Sequence, residues 1–489
     1  AELKAIYLAN VGNRDVKFDN QNIKVPRLSG KDYLDRFEKV AEHLTFPIIT
    51  KGLECVFQDL QDIPLEQLIL FYTDQDQNEV SEQHYQSDTL YFADLIEKLV
   101  NLRIPEKVKN VVKIKICHSP NDYDFTYEFF LSQLTKIEND VKPDRVYLSP
   151  AGGIPACNMN LLLQGSRIFT RRAVTLLIPD NPDKPAKLQK LGEMINRENN
   201  RLIIQRLLSE YDFGGAAEVL ENESDDKSKS LLALARSVQY RLYFDFQTAL
   251  NYLSNVNPEV LQIAETNIAN FGTVENLINT IQENFTALIK PIEPLHGNQT
   301  DFDQKNKWLD LQKRLNAEVL LNVKIKWLSE QYIDFLGRIF RLQEGVLRWI
   351  FEKETGYSAD SEQFPNDYPD FLKQNPDFED YLKNESINGK NPVANRLNRG
   401  TLLLYLRFLS ETHAEYQPIL KQCNKLDHLS ALRNKCALAH GNEPVNDCII
   451  SQIYGKNVLG NLSKLASTFG LEDHLPQIDC IRNIIIENF

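Results

Sequence analysis

Arg433 and His440 stand seven positions apart in ALRNKCALAH, residues 431–440, with GNEP following. Seven residues turn an α-helix through about 700°, which returns to within roughly 20° of the start and about 10 Å along the axis. On a helix the two side chains therefore share a face. Arg carries a permanent planar cation, and His titrates near neutral pH. That pair suits a phosphodiester, with one group steadying charge on the phosphate oxygens and the other moving a proton. Asn434, next to the Arg, adds a neutral donor. Leu429, Leu432, Cys436 and Ala439 form a 3/4-spaced apolar stripe, and Arg433, Ala437 and His440 run along its edge. Gly441 suits a helix C′ position, with Asn442 and Pro444 beyond it. A histidine in a last turn is favoured in its protonated form by the helix dipole. The spacing leaves a second reading open, in which His440 only complements that dipole.

Two other histidines follow an Arg at similar distance. Arg407 and His413, in RFLSETH, are six apart. About 600° leaves them roughly 120° apart around a helix, too far round for one phosphate. Arg36 and His43, in RFEKVAEH, fall where a crossover helix meets strand-like residues, the setting of a packed or surface imidazole.

The other polar concentrations are loops at strand ends. AIYLANV, residues 5–11, runs into NVGNRDV, where Asn10, Asn13, Arg14 and Asp15 crowd around Gly12. RVYLS, residues 145–149, runs into SPAGGIPACN, where Gly152 and Gly153 offer backbone N–H groups as a helix begins. Ligands of open α/β sheets bind beyond the carboxyl ends of the strands. Arg14 is the main charge here, so a hydrogen-bonded ligand is expected more than a salt-bridged one. Neither loop is a dinucleotide fingerprint or a Walker loop, and ordinary strand–helix turns are the other reading. His118, in CHSPNDYD, also stands at a strand end, with Ser119 or Asn121 expected to cap the next helix.

Apolar strand-like runs occur at 5–11, 67–73, 111–117, 145–149 and 174–179, with a shorter candidate at 46–50. Helical-period segments, such as 31–44 and 122–137, lie between them. Near-continuous apolar strands with helical crossovers predict a parallel sheet covered on both faces, a doubly wound, Rossmann-like α/β domain. From about 202 the strand signal fades. YDFGGAAEVL at 211–220 is echoed 33 residues later by FDFQTALNYL at 244–253, which predicts a helical spacer with an internal duplication. Residues 317–353 form a long amphipathic stretch broken once, 360–390 an irregular insertion, and 401–415 and 428–439 two further helices.

A chain of 489 residues has room for two to four domains. With 42% hydrophobic and 25% charged residues it has the make-up of a soluble globular protein, and no apolar run reaches the roughly 18 residues of a membrane span. No signal peptide is evident at its start. The seven Cys are scattered and never spaced C-x-x-C, which argues against a disulfide framework or zinc site and for a cytoplasmic location. A formal net charge of −13 argues against a protein that coats nucleic acid non-specifically, so any RNA contact must be local.

In layout and in four short motifs the chain resembles the CARF–HEPN ribonucleases, CRISPR-associated effectors of type III systems. Their nuclease motif, an Arg, four to six residues, then His, is matched by RNKCALAH. Their sensor loops correspond to NVGNRDV and SPAGGIPACN, and YIDFLGRIFRLQEGVL, with Arg338, Arg341 and Glu344, resembles the first helix of their nuclease domain. The resemblance implies an α/β plus all-α fold: a CARF sensor domain at 1–190, a helical connector at 191–300 and a HEPN domain at 301–489. It implies a homodimer of antiviral defence that cyclic tetra- or hexa-adenylate activates, with no other cofactor. The activator would be held by Asn10, Gly12, Asn13, Arg14, Asp15, Ser149, Gly152, Gly153, Ile154 and Pro155. Catalysis would fall to Arg433, Asn434 and His440, without metal, on single-stranded RNA, leaving 2′,3′-cyclic phosphate ends and sparing DNA. Related sensors commonly have Thr where this chain has Ile154, which puts self-limiting cleavage of the activator in doubt. Two alternatives are a ligand-sensing regulatory or binding protein without nuclease activity, and a nuclease toxin unrelated to cyclic nucleotides.

Overall fold

Five apolar runs form a parallel sheet: β1 Ala5–Asn10, β2 Gln67–Thr73, β3 Val111–Ile116, β4 Arg145–Ser149 and β5 Ala173–Leu177. A short β6, Lys187–Gln189, adds to β5 antiparallel, and the spatial order is 3-2-1-4-5-6. In β1, Ala5, Tyr7 and Ala9 face one hydrophobic core while Ile6 and Leu8 face another. A strand buried on both faces needs apolar residues at every position, which is why the sheet was visible as continuous runs. The order reverses between β1 and β4, whose register sets Ala9 opposite Ser149. Their carboxyl ends therefore flank the switch point where such sheets bind ligands.

The computed structural model describes residues 3–61, 63–181, 183–297, 301–359, 364–385, 397–438 and 441–489. It divides into two compact units, Ala1–Asn200 and Arg201–Phe489. In the first, several expectations are corrected. The apolar run at 46–50 is not a strand but opens the helix Pro47–Asp59, with Pro47 at a first-turn position that needs no N–H. The helix expected over 31–44 begins earlier and is interrupted at Arg36, between Pro26–Asp35 and Phe37–Val40. The cap of the helix Tyr123–Val141 is Asp122, whose carboxylate accepts the N–H groups of Asp124 and Phe125, rather than Ser119 or Asn121.

The second unit is helical. The echoed sequences repeat in three dimensions: Tyr211 and Phe244 both have left-handed backbone, with φ of 58° and 63°. The next residues, Asp212 and Asp245, cap the helices Phe213–Leu220 and Phe246–Leu253. The long stretch breaks once, between Phe302–Leu328 and Tyr332–Thr355, with Glu330 at φ 59°. The insertion expected to be irregular holds two helices, Phe364–Gln374 and Pro376–Asn384, anchored by Phe371 and Phe378 against Tyr405; residues 386–396 lie outside the described residues. The core of the repeat helices also takes in Leu321, Ile325 and Ile478, Ile481, Ile484 and Ile485 of the helix Leu475–Asn488. At its centre Arg241 forms a buried ion pair with Glu318 at 2.7 Å, beside His474.

Candidate functional site

The helix expected over 428–439 is corrected to a single short segment, Ser430–Lys435, preceded by the separate helix Gln417–Asp427. Cys436 leaves helical geometry at φ −91°, ψ 175°. The chain then folds back, so that the Lys435 carbonyl accepts the Glu443 N–H at 2.9 Å and the Cys436 carbonyl that of Gly441 at 3.3 Å. Gly441 is not a left-handed C′ residue. A Cβ there would sit 1.9 Å from the Lys435 carbonyl oxygen, so close backbone approach is what requires glycine. Ala439 and His440 lie outside the described residues. The helix that carries Arg433 thus ends at Lys435, before the seven-position spacing is complete.

Arg433 occupies the last turn of that segment. Its guanidinium lies 4.8 Å from the Phe340 ring centroid and donates to the Asn434 side-chain oxygen at 3.0 Å. Leu429, Leu432 and Cys436 are buried, as the apolar stripe required, and Asn434 is exposed. A second cation escaped the sequence reading. Arg399 lies 5.3 Å from the same Phe340 ring, tethered to Asp427 at 2.5 Å. The other Arg–His pairs have local partners: His43 bonds to Asp19 at 2.7 Å, and His413 to Thr412 at 2.8 Å.

In the α/β unit the loops after β1 and β4 meet. Gly152 and Gly153 have φ of 73° and 66°, left-handed values that a side chain would resist. A Cβ on Gly12 would stand 2.2 Å from the Gly153 nitrogen, so the two loops touch backbone to backbone. Asn158 ties them, accepting from the Asn10 amide at 2.9 Å and donating to the Gly152 carbonyl.

A cavity of about 270 Å³ opens at this junction. Of the residues expected to hold a ligand, it brings together Asn10, Gly12, Asn13, Gly153, Ile154 and Pro155. Asn10 is 2% exposed and its side-chain oxygen has no partner within the chain. The helix Pro155–Phe169 starts here with no side chain capping its first N–H groups, leaving donors for a ligand. Arg14 and Gly152 instead line a neighbouring cavity of about 820 Å³, with Lys17 and Lys51. Asp15 and Ser149 line neither and are buried beneath, the Ser149 hydroxyl without a partner. Burial pushes the Asp15 carboxyl up to about 7, against the Gly12 N–H that it accepts. The sequence reading missed Thr73, Gln75, Asp88 and Asn121, which complete the smaller cavity. The polar run TDQDQ at the end of β2 was the available signal. His118 lies apart, on Glu79 at 3.2 Å.

Residues 301–480 match the family model described as the Cas_Csm6 HEPN domain. Among solved structures, Csm6 of Enterococcus italicus bound to cyclic hexa-2′-fluoro-hexa-dAMP matches with a TM-score of 0.60 and 12% identity, over 100% of both chains. No curated protein matches by sequence. The fold is thereby an N-terminal α/β domain with a parallel sheet followed by a C-terminal helical region that is similar to the HEPN model over residues 301–480. Among the described residues no helix is long and apolar enough to cross a membrane.

Proposed function

We propose, from the premise that residues 301–480 belong to the Csm6 HEPN family, that the chain is a CRISPR accessory endoribonuclease switched on by cyclic oligoadenylate. Residues 1–190 sense the activator, 191–300 connect, and 301–489 cut RNA. The observation that carries the reading is Arg433, fixed over Phe340 beside an exposed Asn434, within a region matched to that nuclease family.

Two chains related by a two-fold axis bring two copies of Arg433, Asn434 and His440 to one cleavage centre. The substrate's own 2′-hydroxyl attacks the adjacent phosphorus while its proton leaves. The bond from phosphorus to the 5′-oxygen breaks, and that oxygen takes up a proton to leave as a 5′-hydroxyl. The other product ends in a 2′,3′-cyclic phosphate. His440 serves in proton transfer, Arg433 offsets charge on the phosphorane, and Asn434 orients the guanidinium through the bond they share. No metal is required by this chemistry, and DNA, lacking the hydroxyl, is spared.

The activator pocket lies at the β1/β4 switch point, with backbone N–H groups and Asn10 as hydrogen-bonding partners. That the E. italicus protein was solved with a cyclic hexanucleotide analogue supports a ligand of this class. Binding acts through its differential affinity for the cutting arrangement. The test is cleavage of single-stranded RNA in EDTA, with and without cyclic tetra- or hexa-adenylate. Activator-dependent cleavage is expected, and His440→Ala or Arg433→Ala abolishes it while activator binding persists. Full cleavage by His440→Ala overturns the assignment.

A further inference from the structure

The second unit holds a cavity of about 350 Å³ that the cleavage chemistry leaves unused. The two repeat turns form one wall and the break between the long helices forms the other. On its floor Asn322 is 1% exposed, with its amide N–H donating to the Leu242 carbonyl at 2.9 Å and its side-chain oxygen unpartnered. A buried acceptor left open is costly, and its complement is a ligand N–H, as on a nucleobase edge. Tyr243, on the same wall, is 66% exposed, an aromatic face on which a base can stack. Lys326 and Arg338 supply cations from the opposite side, one from each long helix. Asp212 caps its helix through Gly215, Glu210 faces Arg206 at 3.6 Å, and Asp334 stands 3.7 Å from Lys326, which also donates to the Gln331 side chain. A ligand phosphate would therefore compete with Asp334 for Lys326, while Arg338 rests over the Phe244 ring.

An open acceptor, an exposed aromatic ring braced edge-on by Tyr240 at 6.1 Å, and two cations match one nucleotide, base and phosphate. The position connects it to the cleavage motif. Phe340, which carries the Arg433 guanidinium at 4.8 Å, is on the same helix two residues beyond Arg338 but about 160° round its axis, so the link between the two places runs through the face between them. One residue before Arg338, a Cβ at Gly337 would lie 3.4 Å from Leu438, in the loop that follows Arg433. Arg341 is exposed and lies about 60° from Arg338 around the helix axis, so it bridges the two places.

We propose that this cavity is a subsite of the RNA substrate, holding one nucleotide that flanks the scissile bond. The base meets Asn322 and Tyr243, and its phosphate meets Lys326 and Arg338. This rests on the nuclease reading above and adds a residue-level account of how the strand is held. The experiment uses the full chain with activator and a single-stranded RNA of about twelve nucleotides, comparing Tyr243→Ala, Tyr243→Phe and Lys326→Ala. Each Ala variant is expected to raise KM about tenfold, the equivalent of one stacked base or one phosphate contact, with a much smaller change in kcat. Tyr243→Phe, which keeps the ring, is expected to restore KM. Unchanged KM in both Ala variants overturns the subsite. So does protection of the cavity by adenosine monophosphate in thermal unfolding with no effect of the variants on RNA kinetics, which would make it a site for free nucleotide. If the unaltered chain cuts no RNA, the nuclease reading fails separately, and anisotropy of labelled RNA on the same variants then decides the cavity.

Discussion

Asp15 lies wholly buried under the loops that follow β1 and β4, one carboxylate oxygen on the Gly12 N–H and the other without a partner. Its carboxyl is held at about 7, against an ordinary value of 3.8, because burial disfavours the charge more than one N–H favours it. The folded state therefore binds its proton more tightly than the unfolded chain does. The resulting stability is complete below about pH 4 and is lost as pH rises through 7, by roughly 4 kcal/mol in all. The difference in unfolding midpoint between the unaltered protein and Asp15→Asn should shift across pH 5–8 in favour of the variant at the alkaline end. A pH-independent difference would show that Asp15 does not titrate there. Gly12 makes a second residue-scale point. Its Cβ would meet the Gly153 nitrogen at 2.2 Å, so Gly12→Ala must part the two loops. Calorimetry with cyclic hexa-adenylate should find affinity reduced by about tenfold or more, with circular dichroism unchanged.

At the scale of elements, burial decides what was legible. β1, β2 and β4 are apolar at nearly every position because both faces are covered, and their expected bounds hold to within a residue. The duplicated turn was legible because the same pair of residues, aromatic then Asp, recurs where a left-handed turn meets a helix cap. The helix carrying Arg433 was misjudged. Leu429, Leu432 and Cys436 keep helical spacing, but Lys435 gives its carbonyl to Glu443, a contact that no local pattern encodes. The smaller sensor cavity was half legible for the same reason. Its glycine loops announce themselves, whereas Thr73 reaches it only because β2 pairs with β1, and Asp88 only by accepting the Gln75 N–H at 2.7 Å. The buried Arg241–Glu318 pair joins elements distant in sequence and gives a prediction of its own. Burial would raise the Glu318 carboxyl, but Arg241 and His474 outweigh it and hold it at about 2. The stabilisation it gives is present above about pH 4.5 and lost as pH falls towards 2. Arg241→Met leaves that carboxylate buried without its guanidinium, with only His474 and Asn284 still on it, and should cost about 3–5 kcal/mol in urea denaturation at pH 7. A loss under about 1 kcal/mol would mean that the core relaxes enough to admit water.

At the scale of the whole molecule, the acidic balance of −13 and the metal-free chemistry proposed above bear on the same question: how one chain with few cations to spare assembles a cutting centre. Arg399 and Arg433 share the Phe340 ring, but Arg399 is held by Asp427, which favours Arg433 of the two for the proposed contact with a phosphate. One guanidinium and one imidazole per chain are a thin supply for both steadying the phosphorane and moving protons at two oxygens. A two-fold axis doubles the supply without adding charge to either chain. That argument has a quantitative consequence in mixed assemblies. When unaltered protein and His440→Ala are mixed in equal amounts and allowed to exchange, about one quarter of the dimers carry two intact chains. If both copies of His440 are needed, activity at saturating activator falls to about a quarter of the unmixed value. If each chain cuts alone, half remains, and the shared centre is ruled out. Holding total protein constant across a series of mixing ratios separates the parabola from the straight line.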